Sequence, residues 1–216
     1  LDGVEAEKVA GLTERIVRQT DDLRRIVDEF SKFARMPEPD RRPEDLSELL
    51  RGAVLLQESG QPDVSFGCEI APGDYSAELD ATMIGQALTN LIKNAGEATQ
   101  SLREKGVPDG YVPEIRVRAS AQDGWAWITI ADNGIGLPED RARLFEPYVT
   151  TRDKGTGLGL PIVKKIIEEH GGTLTLEDAP AFESGAHRGA QAVIGMPLAP
   201  LGAAGRKDIE SELAET

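Results

Sequence analysis

Met36-Pro37-Glu38-Pro39-Asp40-Arg41-Arg42-Pro43 places three prolines within seven residues, and no helix can continue through it. Each proline removes a backbone donor and biases the residue before it toward extended conformations. Residues 37–43 therefore read as a stiff linker, and the segments on its two sides must fold separately. Upstream, Val9, Leu12, Ile16, Gln19, Leu23, Ile26, Phe30 and Phe33 recur in alternating steps of three and four, the seam of a coiled coil or bundle. One long helix over 1–36 is expected, with Gln19 as its single polar break. A lone helix with such a seam is not stable in water and needs partner helices.

Beyond the linker, over 44–199, the periods are mixed. Leu46, Leu49, Leu50 and Val54 have helical spacing, Val64–Ile70 alternates like a strand, and Tyr75–Leu79 is a second short strand. Asp80 is placed to cap a helix through Met83, Ile84, Leu88, Leu91 and Ile92 to about Leu102. Ile115–Ala119 and Trp125–Ala131 form strands around the turn Gln122-Asp123-Gly124. Leu160–His170 reads as a helix stopped by Gly171-Gly172, and Thr173–Glu177 and Ala192–Pro197 complete the sheet. Between them, the 24 residues of 133–156 lack a regular pattern, too long for an incidental connection and therefore expected to be functional. Residues 200–216 read as an acidic, frayed tail.

A net charge of -14 argues against a partner such as nucleic acid, which a basic surface would bind. Cys68, the single cysteine, excludes an intrachain disulfide and suits a reducing cytosol; its alternating strand predicts a small core residue. No apolar run approaches the roughly 20 residues of a membrane span.

Three segments carry chemistry. In Leu88-Thr89-Asn90-Leu91-Ile92-Lys93-Asn94-Ala95-Gly96-Glu97, the residues Asn90, Lys93, Asn94 and Glu97 fall at helical spacing on one face. An amide oxygen there suits a Mg2+ that already carries phosphates and water. Asp132 ends an apolar strand just before Asn133-Gly134, where its carboxylate can accept a hydrogen bond from an exocyclic amine such as adenine N6; an ordinary Asp-Asn-Gly turn is the competing reading. Gly155, Gly157 and Gly159 alternate before a helix, so backbone amides and the helix dipole can face phosphate. The Gly-Lys-Ser/Thr ending of a P-loop is absent, and no strand runs directly into these glycines as a dinucleotide fingerprint requires. Phe145 and Tyr148 are placed to anchor a lid from which Arg152 or Lys154 can reach a terminal phosphate. The order and spacing of these segments, with Gly155 lying 21 residues after Gly134, point to an ATP-binding module.

These segments resemble the N box, first glycine box, F box and second glycine box of the GHKL ATPase superfamily, most closely bacterial sensor histidine kinases. The resemblance covers about 43–198. Val27-Asp28-Glu29-Phe30-Ser31-Lys32-Phe33-Ala34-Arg35-Met36-Pro37 is similar to the second helix of the dimerisation and phosphotransfer domain in NtrY-type nitrogen-regulation kinases. The resemblance implies a Bergerat-type α/β two-layer sandwich, a mixed sheet backed by three helices, with ATP and Mg2+ as ligands. It assigns Asn94 to the metal, Asp132 to adenine, and Gly134 and Gly136 to the adenine-side turn. Phosphate falls to Gly155, Thr156, Gly157, Leu158 and Gly159. Asn90, Lys93 and Glu97 neighbour metal or phosphate, and Thr150, Thr151, Arg152 and Lys154 belong to the lid.

Gyrase-like, MutL-like and chaperone ATPases of the superfamily carry a water-activating glutamate four residues before the metal asparagine. Here that position is Asn90, which favours transfer to a histidine over hydrolysis. The superfamily's histidine kinases carry the acceptor on a first bundle helix, but His170 and His187 both lack that context. His170, at a helix C-terminus, is expected to be structural, and His187 to be exposed. The chain thus reads as second bundle helix plus catalytic domain, the cytoplasmic part of a membrane-anchored sensor. Its expected partners are an acceptor helix, a second protomer and a response regulator. A nucleotide-gated binding module and a hydrolytic ATPase are the alternatives.

Overall fold

The structure, a computed structural model, describes residues 3–34, 36–107, 110–149, 156–182 and 189–199. The predicted tail and His187 lie outside them. Helix α1 spans Gly3–Ala34, and Val9, Leu12, Ile16 and Leu23 of its predicted seam are all exposed.

The proline stretch is a linker only in part. Arg42–Asp45 forms strand β1, antiparallel to β3 (Ser76–Leu79), with Pro43 opposite Glu78. The Asp40 N–H donates to Asp80 Oδ2 at 3.1 Å, and the Arg41 guanidinium donates to the Glu169 carbonyl. The extended conformation that proline imposes is also what a short two-stranded ribbon accepts. The compact unit therefore reaches back to about residue 40, inside the expected linker.

Helix α2 (Leu46–Gly60) starts at Asp45, whose Oδ1 accepts from the N–H of Ser47 at 2.7 Å. Helix α3 (Ala81–Lys105) starts at the predicted cap Asp80, whose Oδ1 accepts from Met83 N–H at 3.0 Å. It runs three residues beyond Leu102 and stops at Gly106, where φ is +98°. Strands β4 (Glu114–Gln122) and β5 (Trp125–Asp132) meet at Asp123-Gly124, both at positive φ, the turn that matches strand twist. Helix α4 (Gly159–Glu169) is followed by β6 (Thr173–Asp178) and β7 (Ala190–Pro197). Pro161 sits in the first turn of α4, where its missing donor costs nothing.

With β2 (Ser65–Ile70), these strands make a five-stranded sheet in the order β2-β4-β5-β7-β6. β2 and β4 are parallel and the other neighbours antiparallel, so the sheet is mixed. One face is apolar: Ile115, Val117, Ala126, Ile128, Ile130 and Ile194 are buried against Leu50, Ile84, Leu88, Ile92 and Ile166 of the three helices. The opposite face carries Arg118 and the stacked pair Trp125 and Trp127, with ring centroids 6.1 Å apart. This is the expected two-layer sandwich. Cys68 departs from expectation, because it is exposed. Its strand is the sheet's edge: Cys68 stands opposite buried Val117 on the helix-packed face, but this edge position leaves it accessible.

Candidate functional site

Alternation along β5 breaks at its end, where Ala131, Asp132 and Asn133 are all buried. A buried carboxylate needs donors, and the backbone supplies them. Asp132 Oδ1 accepts from Gly134 N–H at 2.8 Å and from Ala190 N–H at 3.3 Å. Glycine is required on both sides of this arrangement. A Cβ on Gly189 would stand 2.1 Å from the Asp132 carbonyl oxygen, and one on Gly134 would stand 2.4 Å from the Ala98 backbone carbon. The turn thus lies directly on α3, and Ile135 N–H donates to the Ala98 carbonyl at 3.1 Å. Gly136, at φ +80°, carries the chain away.

Ala98 follows Asn94 by one helical turn and Asn90 by two, so the flank of α3 that meets the Asp132 turn is the flank of the two asparagines. Both are half-buried. Lys93 and Glu97 make an exposed ion pair at 3.8 Å. They line a groove of about 720 Å3 on the side toward the end of α2, together with Gln57, Gln61, Gln100 and Arg103. This groove is not where the predicted chemistry gathers: Asp132 and the glycine turns lie elsewhere. The four α3 residues that spacing puts on one face are therefore spread across an arc with an Asp132 side and a groove side.

The segment after Gly136 contains a 3-10 turn, Ala142–Phe145. Phe145 packs on the core, and Lys164 of α4 stands 4.8 Å from its ring centroid. Arg141 makes a two-point ion pair with Asp178 of β6, at 2.7 and 2.8 Å. Tyr148 is exposed, at φ +66°, and its N–H donates to the Gly157 carbonyl at 3.1 Å. Gly157, at φ +69°, is in backbone contact with Tyr148, since a Cβ there would lie 2.6 Å from the Tyr148 carbonyl carbon. Thr156 Oγ1 accepts weakly from Leu158 N–H at 3.4 Å, and fully buried Leu158 roots the start of α4. Gly159 begins that helix, and no described atom lies within 4 Å of where its Cβ would stand. Packing explains Gly157 but not Gly159. Thr150, Thr151, Arg152, Lys154 and Gly155 lie outside the described residues.

His170 is buried and caps α4. Its Nε2 accepts from Asp80 N–H at 3.0 Å, so Nδ1 carries the proton that goes to the Ile166 carbonyl at 2.7 Å. Both ring nitrogens are committed to structure, as expected of a histidine at that helix end. Sequence reasoning missed Tyr111, Gly189 and Ala190, which also shape the site. Tyr111 and Gly189 sit in irregular segments where no periodicity marks them, and Ala190 begins β7 two residues before the strand start that the pattern predicts.

Residues 79–200 match the family described as histidine kinase-, DNA gyrase B- and HSP90-like ATPases. Over 169 residues the chain is 50% identical to the nitrogen regulation protein NtrY of Azorhizobium caulinodans, covering 78% of this chain and 21% of that protein. The chain thus spans about a fifth of that relative's length. The crystal structure of full-length ShkA in complex with AMPPNP superposes with a TM-score of 0.65 at 28% identity, covering 88% of this chain and 40% of that one. Histidine kinase ThkA in complex with response regulator protein TrrA superposes with a TM-score of 0.64 at 25% identity, covering 93% and 53%. The mixed sheet, the buried aspartate turn lying on the asparagine helix, and these matches lead to one conclusion: the chain belongs to the histidine kinase-, DNA gyrase B- and HSP90-like ATPase family and carries the ATP-binding catalytic domain of a sensor histidine kinase.

Proposed function

We propose that this chain binds ATP with Mg2+ and delivers the γ-phosphoryl group to a histidine supplied by a phosphoacceptor helix. The observation that carries the reading is the buried Asp132 carboxylate, held by two backbone amides beside the asparagine flank of α3. Asp132 accepts from adenine N6, and Gly134 and Gly136 shape the turn beneath the base. Gly155, Thr156, Gly157, Leu158 and Gly159 face the phosphates with backbone amides at the start of α4. Among the described residues nothing beyond its own helix abuts the position of a Gly159 Cβ, so their packing does not require glycine there, which supports this. Thr150, Thr151, Arg152 and Lys154 supply the lid on sequence grounds.

The donor set suits Mg2+ that arrives with the nucleotide. Among the described residues no group of three or more His, Cys, Asp or Glu forms a metal cage. One amide, Asn94, is a fitting protein share for an ion that keeps phosphate and water ligands, whereas Glu97 faces the groove by α2. When bound, the ion offsets phosphate charge. Asn90 orients the phosphates, while the imidazole nitrogen attacks phosphorus and the bond to the ADP oxygen breaks; Lys93, on the groove side of α3, takes no part. Asn90 cannot serve as a general base, which favours transfer over hydrolysis.

The ThkA complex with its response regulator supports a response regulator as the next acceptor. The exposed seam of α1 supports pairing with a second protomer. Among the described residues no helix is long and apolar enough to cross a membrane; the reading places this part of the sensor in the cytoplasm.

Titration calorimetry of Asp132→Asn with Mg2+-ATP tests the pocket, and the expected loss of affinity is at least roughly ten-fold, the scale of a lost charge-assisted bond. Unchanged affinity removes the adenine assignment. Incubation with labelled ATP and a separate protein carrying the acceptor helix tests the chemistry: acid-labile label on that helix is expected. Binding without label favours a nucleotide-gated module, and repeated phosphate release lost in Asn90→Ala favours a hydrolase.

A further inference from the structure

We propose that Tyr111 is a positioning residue for adenine recognition, acting on Asp132 through the peptide unit that joins Asn133 to Gly134. The proposal rests on the reading of Asp132 as the adenine ligand. Tyr111 lies in the irregular segment before β4. Its hydroxyl donates between the Asn133 backbone carbonyl at 3.2 Å and Asn133 Oδ1 at 3.1 Å. The rest of Asn133 is committed to the same segment. Nδ2 donates to the Val112 carbonyl at 2.8 Å, Oδ1 accepts from Glu114 N–H at 2.9 Å, and the backbone N–H donates to the Glu114 carbonyl at 3.2 Å. These partners fix the orientation of the amide, since a flip would set donor against donor and acceptor against acceptor. Asn133 is only 3% exposed, so each of these bonds is sheltered from water.

A peptide unit is planar, with its C=O and N–H pointing in opposite directions. Holding the Asn133 carbonyl on the Tyr111 hydroxyl therefore aims the Gly134 N–H the other way, at Asp132 Oδ1, which it meets at 2.8 Å. That bond is shorter than the 3.3 Å contact from Ala190, so it does more to set the carboxylate plane. Hydroxyl, peptide and carboxylate form a series in which each bond polarises the next. The hydroxyl remains a donor across the working range: burial, and then the nearby charge of Asp132, push its pKa up to about 12. Tyr111 never touches the nucleotide in this arrangement; it fixes the angle at which Asp132 meets the base.

The test is the affinity of Tyr111→Phe for ATP and for purine riboside triphosphate, which lacks the 6-amino group, each with Mg2+ by calorimetry. The expected result is a roughly five-fold loss for ATP, the scale of one net hydrogen bond, with the analogue unchanged. Tyr111→His, which restores a ring donor, should recover part of the ATP preference. Equal weakening of both ligands, or of neither, overturns the proposal, because a merely structural tyrosine has no reason to read the amino group. Asp132→Asn separates the two layers of argument. If it leaves the ratio of ATP to analogue unchanged, the adenine assignment fails, and Tyr111 loses its role with it. If it abolishes the ratio while Tyr111→Phe does not, Asp132 stands and Tyr111 alone is wrong.

Discussion

A glycine's value depends on what its missing side chain would strike. A Cβ on Gly96 would overlap Gln61 Oε1 at 1.6 Å, closer than the 2.4 Å between a Cβ on Gly134 and the Ala98 backbone. The distances rank the two one way and the physics ranks them the other. Gln61 can swing its amide aside, whereas the backbone of α3 cannot move without the helix. Gly96→Ala should therefore change stability by less than about 1 kcal/mol, and Gly134→Ala should lower it by about 2–4 kcal/mol, in the range of overpacked cores. Urea unfolding of both variants measures this, and equal losses would contradict it. At this scale the sequence was legible where a pattern ends, as at Asp132, which stands at the end of its strand as expected. It was silent on Tyr111, which meets Asn133 across 22 residues from a segment with no pattern of its own. It misled at Cys68, because alternation names a face without saying whether anything covers it.

Among elements, the start of α3 and the end of α4 share one joint. His170 accepts from Asp80 N–H while Asp80 caps α3. Replacing His170 by alanine strands the sheltered Asp80 N–H, while the Ile166 carbonyl keeps the backbone N–H of residue 170, an expected cost of about 1–3 kcal/mol in chemical denaturation. Activity per folded molecule should be unaffected, which separates this histidine from an acceptor. Asp80→Ala removes the cap at a cost of about 1 kcal/mol at neutral pH. The Asp80 carboxyl is held below its ordinary value, chiefly by the Met83 N–H. A depressed folded pKa means stability that is full above the unfolded value of about 4 and is lost as pH falls through the folded one. The gap between wild type and Asp80→Ala should accordingly shrink in unfolding measured at pH 3 compared with pH 7; a constant gap would rule this out. Periodicity made the long helices and the β4–β5 hairpin readable. β1 was not, because four residues containing a proline resemble a linker until a partner strand is known.

For the molecule as a whole, helices on one face of the sheet leave the other bare, and α1 leaves Val9, Leu12, Ile16 and Leu23 of its seam uncovered. Introducing Leu12→Glu with Ile16→Glu should convert a self-associating chain into a monomer in sedimentation velocity at tens of micromolar, without altering ATP affinity. A wild type that is monomeric throughout that range would refute pairing through the seam. The architecture was foretold by the family resemblance that the motifs carry, and the five-stranded mixed sheet backed by helices bears it out. Spacing alone could not foretell that Lys93 and Glu97 turn toward the groove by α2, since a helical face has no fixed edge until neighbours divide it.

The hydrogen bond from Tyr148 to Gly157 has a consequence for how this site can diversify. It brings Tyr148 and Gly157 together, so the chain leaves and returns at one place whatever the number of residues between them. Lengthening a connection between two such fixed points is inexpensive in entropy, about 0.6 kcal/mol for each doubling. The spacing between these two positions can thus grow in relatives while sheet, helices and this contact keep their register.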